Sequence, residues 1–367
     1  MNASEVIVSR TLGGAVNNLA QPTQARDEVA YVAVGSKLYF IGGKDGSSVI
    51  QQSMDIYDIA SNTWSTGAAP PVGRESVTAV HRAGVIYLVG GKTGTSTYYN
   101  TVYAYDIAAN SWSLSSVVTP ATVADDQAVI IGDNFYLVRG EPGGTTQSAN
   151  SALYKYSFST GLWASGLTNL PASRAASASF DYNGKFHVFG GHTGGVANQK
   201  CYRYEDGTNT WVALADQPLI LSEAIPLVPG NGLIYICGGM NNSNVVSSAI
   251  LTYNPTNNTW ANNLTMPRNR TRAAGMMVGN RAYLAFGTGT TSMDAMDFGC
   301  DIGVAASAGT AESVAGGLPV TNVTTGQVGN TVSFSPGDVL KVLTTTPVIL
   351  GAQTINVQVR VIGLLAA

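Results

Sequence analysis

Three arginines recur at one place in the sequence. Arg26, Arg74 and Arg174 each stand seventeen residues ahead of the second glycine of a Gly-Gly pair. Arg270 or Arg272 takes the corresponding place in a last, incomplete unit, whereas a third unit has Val123 there and a fifth has Leu221 or Ser222. A guanidinium forks two parallel hydrogen bonds to a carboxylate, so a ring of such arginines suits a carboxylate-bearing ligand. The same donors also suit loop carbonyls or nearby acids (Glu28, Glu75, Asp125, Asp126, Glu223), which would make them structural pegs. Lys44, Lys92, Glu141, His192 and Met240 follow the paired positions and open polar loops, among them Asp45–Ser53, Thr93–Asn100, Gly143–Asn150 and Asn241–Ser248. Loops that diversify on a constant scaffold carry binding function. Tyr98 and Tyr99 add aromatic surface with a hydroxyl, or else cover the outer strands. The candidate ligand set is therefore Arg26, Arg74, Arg174, Arg270, Arg272, Lys44, Lys92, His192, Tyr98 and Tyr99.

Other chemistry finds little support. The three histidines, His81, His187 and His192, have no partners at metal-ligand spacing, and His187 lies inside an apolar strand. There is no G-x-S-x-G elbow, and Gly90-Gly91-Lys92-Thr93 lacks both the earlier glycine and the following helix of a phosphate loop. Paired carboxylates near the arginines would serve acid–base chemistry only if one pKa were raised. We expect no enzyme, no cofactor and no metal.

The elements that position these residues repeat. Tyr57/Trp64, Tyr105/Trp112, Tyr156/Trp163, Tyr204/Trp211 and Tyr253/Trp260 share a seven-residue spacing, and the tryptophans lie 48, 51, 48 and 49 residues apart. Ahead of each pair runs an apolar segment ending at Gly42-Gly43, Gly90-Gly91, Gly190-Gly191 or Gly238-Gly239, with Arg139-Gly140 as the degenerate third. Such a period signals a repeat architecture. Alternation predicts four antiparallel strands per unit, in the second Ser76–Val80, Val85–Val89, Thr101–Tyr105 and Ser111–Leu114. Asn62, Asn209 and Asn258, two residues before a tryptophan, suit a tight turn ahead of the fourth strand.

The glycine pair, the spaced tyrosine and tryptophan and the preceding arginine resemble the kelch repeat, over roughly residues 14–298. The resemblance implies an all-β fold, a six-bladed β-propeller in which the arginines surround the central opening. A sixth unit reads as Arg272–Val278, Arg281–Phe286 and Asp294–Phe298, with Gly287 at the diglycine. Its missing fourth strand is expected from Gly14–Pro22, which leads into Arg26 much as Trp64–Pro71 leads into Arg74. Closure of this kind leaves no open edge.

The expected division is an arm at 1–13, the propeller at 14–298, a linker at 299–317 and a small β assembly domain at 318–367. In that last part Val339–Leu343 and Thr354–Ile362 read as strands, and alternation from Ile355 to Val361 leaves one face apolar. Only 11% of residues are charged and the net charge is −3, which argues against nucleic-acid binding. Neither a secretory signal in Met1–Arg10 nor a membrane span is expected, and Cys201, Cys237 and Cys300 form no disulfide framework. The threonine-rich tail around Phe334-Ser335-Pro336-Gly337-Asp338 resembles assembly segments of phage structural proteins. The leading expectation is a non-enzymatic bacteriophage virion protein (tail, fibre or capsid decoration), made in the host cytoplasm and oligomeric. Its partners would be other virion proteins and a host-surface glycan or protein. The alternatives are a bacterial cytoplasmic sugar-acid enzyme of the sialic-acid-epimerase kind and a protein-interaction adaptor.

Overall fold

The computed structural model describes residues 19–125, 128–140, 151–288 and 292–298, with the backbone of four further strands at 5–9, 302–308, 338–344 and 358–362. Each repeat folds as its alternation requires. In the second, Val85–Val89 pairs with Thr78–Arg82 on one side and Thr101–Asp106 on the other, and Ser111–Val118 forms the outer edge. Five such four-stranded antiparallel sheets and one three-stranded sheet are present among the described residues. The innermost strands are Ala30–Val34, Thr78–Arg82, Val129–Ile131, Ala178–Tyr182, Ile225–Leu227 and Ala274–Val278; each touches the next, and the sixth touches the first. The fold is a closed six-bladed propeller.

A single sheet cannot bury both faces, and the core is accordingly split into junctions. Each apolar cluster draws on two adjacent blades. Leu38, Phe40 and Tyr57 of blade one pack on Tyr283, Phe286 and Met293 of blade six. Tyr39, Ile41 and Met54 pack on Ile86, Leu88 and Tyr105 of blade two. The repeated tyrosine and tryptophan are cross-strand partners, with ring centroids 5.1 Å apart in Tyr57/Trp64 and 4.9 Å in Tyr253/Trp260. The indole N–H reaches back to the preceding blade: Trp112 Nε1 donates to Ala68 O at 2.8 Å, and Trp260 Nε1 donates to Ala215 O at 2.9 Å.

The asparagines do more than turn the chain. Asn62, Asn110, Asn209 and Asn258 adopt positive φ. The Oδ1 of each accepts from its own blade's tyrosine hydroxyl and from a backbone N–H of the preceding unit, as when Asn110 accepts from Tyr105 at 2.7 Å and from Ala68 N at 2.8 Å. The glycine pair is explained by closeness as well as φ. A Cβ on Gly42 would lie 2.4 Å from Arg74 O of the next blade, and one on Gly43 would lie 2.5 Å from Asp27 O. The second glycine N–H donates across the junction, Gly43 N to Arg74 O at 2.7 Å and Gly287 N to Arg26 O at 2.9 Å.

At the closing junction Ala20 takes the place that Ala68 has one blade on. Trp64 Nε1 donates to Ala20 O at 2.8 Å, and Ala20 N donates to Asn62 Oδ1 at 2.7 Å. Gln21 bonds the third strand of blade six, accepting from Met293 N at 2.7 Å and donating to Met293 O at 3.2 Å. The N-terminal segment thus enters where a fourth strand of blade six would leave; 14–18, the expected strand itself, lies outside the described residues.

Two other antiparallel pairs belong to no blade: Glu5–Ser9 with Gln358–Ile362, and Ile302–Ala308 with Asp338–Thr344. Ile302–Ala308 is a strand where composition predicts a linker, because small residues fit a ladder as readily as a loop once a partner strand pairs with them. Glu5–Ser9, expected as an arm, is β-branched at three central positions and pairs likewise. Residues 309–337, with most of the expected linker, and 345–357 lie outside the described residues, as does Cys300.

Replacing Gly43 by alanine forces a Cβ onto Asp27 O and Val29 at a φ of 81°. A loss of about 2–3 kcal/mol is expected, measured by chemical denaturation. Removing residues 1–22 deletes the acceptor of Trp64 and both bonds to Met293; a clear fall in melting temperature is expected, and an unchanged one would show that closure does not need this segment.

Candidate binding site

The arginines divide into two groups. Arg26, Arg74, Arg174 and Arg270 are at most 2% exposed, and each donates to the carbonyl sixteen residues on: Gly42, Gly90, Gly190 and Phe286. A second acceptor comes from the start of the third strand or just before it, Ser53 Oγ, Thr101 O, Lys200 O and Ser292 O respectively. Arg26 also pairs with Asp55, and Arg270 with Asp294 at 2.7 Å. Burial pulls the Arg26 pKa down to about 10, which leaves it charged at neutral pH. These four are pegs holding the second and third strands of their own blades, and they do not line the channel. Blade three reverses the arrangement: Val123 replaces the peg, and Arg139, at the first glycine position, donates Nε to Thr122 O at 3.0 Å.

Two residues beyond the peg position the chain does something the residue types conceal. Glu28, Ser76, Asp125, Ala176, Glu223 and Arg272 all adopt φ between 51° and 60°. Their backbones are joined from blade to blade: Glu28 N to Arg272 O at 3.2 Å, Ser76 N to Glu28 O, Asp125 N to Ser76 O, Ala176 N to Asp125 O and Glu223 N to Ala176 O. This collar rims the central channel. Below it a cavity of about 350 Å³ is walled by the innermost strands, with Val29, Val77, Ala79 and Met276 beside Thr78 and Ser177.

The collar carries the charge. Arg272 lies between its two ring neighbours, 2.9 Å from Glu28 and 2.9 Å from Glu223. Lys44 adds contacts of 2.7 Å to Glu28 and 2.8 Å to Glu75, and Lys92 lies 3.1 Å from Asp125. Burial alone would raise the Glu28 carboxyl, but Arg272 and Lys44, with the Ser76 hydroxyl, hold it below the ordinary carboxylate value. Burial likewise opposes the charge of Arg272, and the two glutamates overcome it. Asp27, with Glu28 beside it, has a carboxyl raised by burial and by that neighbour.

The remaining candidates surround the collar. Lys44, Lys92 and His192 each bridge by backbone to the residue after the peg position: Asp27, Glu75 and Ala175. That places the loops before the first strand and after the second on one rim. His192 is buried, at 8% exposure. Tyr99 is half-buried, with the Arg74 guanidinium 4.0 Å from its ring centroid, so it braces a peg; Tyr98 lies on a short hairpin of Lys92–Thr93 and Thr97–Tyr98, also half-buried. Glu141 and the loop at 143–150 lie outside the described residues. His187 stacks on Phe180 with centroids 5.2 Å apart, and burial lowers its pKa to about 4, as a packed core histidine requires. Cys201 is buried and free, its thiol pushed up to about 12 by burial. Among the described residues no group of three or more His, Cys, Asp or Glu could hold a metal, and no helix is long and apolar enough to cross a membrane.

Sequence comparison agrees with this geometry. Residues 15–140 match the KLHDC2/KLHL20/DRC7 Kelch-repeats domain, and residues 227–262 match the Kelch motif. No curated protein matches the chain. The six-bladed propeller thus carries matches to Kelch-repeat models in its first three blades and in its fifth.

Arg74→Ala removes bonds of 2.7 Å to Gly90 O and 2.7 Å to Thr101 Oγ1. A loss of about 2–3 kcal/mol is expected in a denaturant titration, mostly from stranded buried acceptors. Glu28→Gln tests the collar by pH. A depressed carboxyl stabilises the fold above its unfolded pKa, and that contribution vanishes as pH falls through the folded pKa. The variant should therefore be less stable than wild type at neutral pH, with the gap narrowing as pH drops below the ordinary value of 4.5; a constant gap would show that Glu28 acts by packing.

Proposed function

We propose that this chain is a non-enzymatic binding protein whose channel rim is the ligand face, carried on a bacteriophage particle through its C-terminal β-segment. The observation that carries the binding reading is the collar. Five backbone hydrogen bonds linking the six collar residues set a cavity and the loops opened by Lys44, Lys92, His192 and Met240 on a single rim. Such a rim offers loops on a scaffold that need not move to bind, which favours affinity by limiting the ordering that binding requires. The collar carboxylates Glu28, Glu223 and Asp125 are paired with Arg272, Lys44 and Lys92, an arrangement suited to recognition. The particle reading is supported by the low charge, by the tail around Ser335-Pro336-Gly337-Asp338 and by the pairing of strands from both chain ends outside the blades. Its targets would be a host-surface glycan or protein.

The test compares the full chain with a version ending at Phe298. Mass in solution and co-sedimentation with phage particles should distinguish them: the full chain should oligomerise or attach, and the shorter one should remain monomeric. Both should bind the same target on a glycan or cell-surface protein array. If both are monomeric and neither joins a particle, the assembly reading fails; if neither binds any surface target, the receptor reading fails.

A further inference from the structure

Three exposed apolar side chains collect at one junction of the rim. Val196, Ile220 and Val245 are 61%, 42% and 58% exposed. They belong to three segments of blades four and five, 191–199, 217–222 and 240–248, which contain no Asp, Glu, Lys or Arg and no Phe, Tyr or Trp. Hydrogen bonds hold the segments side by side. Gly191 N donates to Leu221 O at 3.2 Å, and Ser222 and Met240 exchange backbone bonds of 3.0 and 2.9 Å, so the middle segment is tied to both outer ones. Asn242 joins the outer two, its Oδ1 accepting from Ala197 N at 2.6 Å and its Nδ2 donating to Ala197 O at 3.4 Å. The next charged residues along the chain, Lys200 and Asp216, are paired with each other at 2.7 Å. Blade one supplies a comparison within the molecule. Val49 N donates to Asp45 Oδ1 and Asp45 N to Val49 O, just as Val245 and Asn241 do, all at 3.0–3.1 Å. Val49 is 55% exposed as well, but its loop carries Lys44 and Asp45 where blade five has Met240 and Asn241. The same hairpin holds a valine out in both blades, and only blade five removes the charge around it.

We propose that the corner of the rim formed by blades four and five docks a short uncharged segment of a partner protein through aliphatic side chains. This deepens the binding-module reading and rests on it. An exposed apolar patch framed by polar groups marks a protein contact, and neutral Thr193, Asn198, Ser243 and Asn244 flank this one. A charged side chain docked there would lose water without gaining a counter-charge. A sugar would set its hydroxyls against aliphatic tips that cannot hydrogen-bond them, with no aromatic face to stack on. Three side chains cover far less than the roughly 800 Å² that each side of a stable interface between folded proteins buries. The occupant that fits is therefore a segment of chain, not a second copy of the propeller.

The experiment pans the full-length protein against a displayed library of random dodecapeptides, and the recovered peptides are synthesised and titrated by calorimetry. They should be uncharged and rich in Leu, Ile and Val. Their affinity should fall at least tenfold in the double variant Val196→Ser, Val245→Ser and stay unchanged in Val49→Ser, the matching position in blade one. Melting of each variant is followed in parallel and should equal that of wild type, because the replaced side chains are exposed. Sedimentation and a glycan array compare wild type with the double variant, and neither should differ. Recovery of charged peptides, recovery of none, or unchanged affinity in the folded double variant would each overturn the proposal. Self-association lost in the double variant would make the patch a contact between copies, and glycan binding lost there would make it a sugar site; either result also overturns it. If surface targets still capture the protein in such a case, only the patch assignment falls and the binding-module reading stands.

Discussion

The structure depends on backbone hydrogen bonds that pass from blade to blade around the channel. Sheets in a propeller have no covalent tie across a junction except the connecting loop, so apolar faces alone would let neighbours slide. Two sets of polar contacts prevent this. One joins the left-handed collar residues, as Ser76 N to Glu28 O at 3.1 Å, and the other joins the second glycine to the next peg position, as Gly91 N to Val123 O at 2.8 Å. Both repeat at the closing junction, Glu28 with Arg272 and Gly287 with Arg26. Buried backbone groups need partners, and here satisfying them fixes the register of one sheet against the next.

That constraint explains the use of side chains elsewhere. A guanidinium in each of four blades ties the second and third strands together just where the glycine pair bends. Tyrosine, asparagine and tryptophan form a second lock at the outer edge, where Asn110 joins Tyr105 to Ala68 and Trp112 bonds the same residue's carbonyl. With inner and outer edges both held, the loops after the second strands are free to differ. The collar side chains are equally unconstrained in type, since only their φ is required, and their charges define the mouth.

Residues whose identity is forced by geometry were the ones legible in the sequence. Only glycine tolerates a carbonyl 2.4 Å from a would-be Cβ, so the Gly-Gly pair recurs and reveals the period. The tyrosine–tryptophan register and the asparagine turn follow for the same reason. What could not be read is where a donor finds its acceptor. Arg270 and Arg272 are two residues apart, yet one is a buried peg and the other, at a left-handed backbone position, lies in the channel. The collar escaped notice because glutamate, serine, aspartate, alanine and arginine share no pattern. A fixed offset of two from each peg position was the signal available. Ile302–Ala308 shows the complementary failure, since its paired residues lie from 30 (Ala308 with Asp338) to 42 (Ile302 with Thr344) positions away.

The junction between blades one and six also orders events in time. Gln21 and Met293 are 272 residues apart in the chain, whereas Ala68 and Trp112 are separated by 44. Five junctions can assemble as their blades are completed; the sixth must wait for nearly the whole propeller to be made. Until then Leu38, Phe40 and Tyr57 lack the blade-six residues they cover in the finished ring. Loop-closure entropy grows slowly with length, so the long link costs little in final stability while delaying the last step. A ribosome-bound intermediate with five blades therefore carries an open seam of aromatic surface at its oldest end, and the interval before closure is when this chain is most exposed to pairing with another copy.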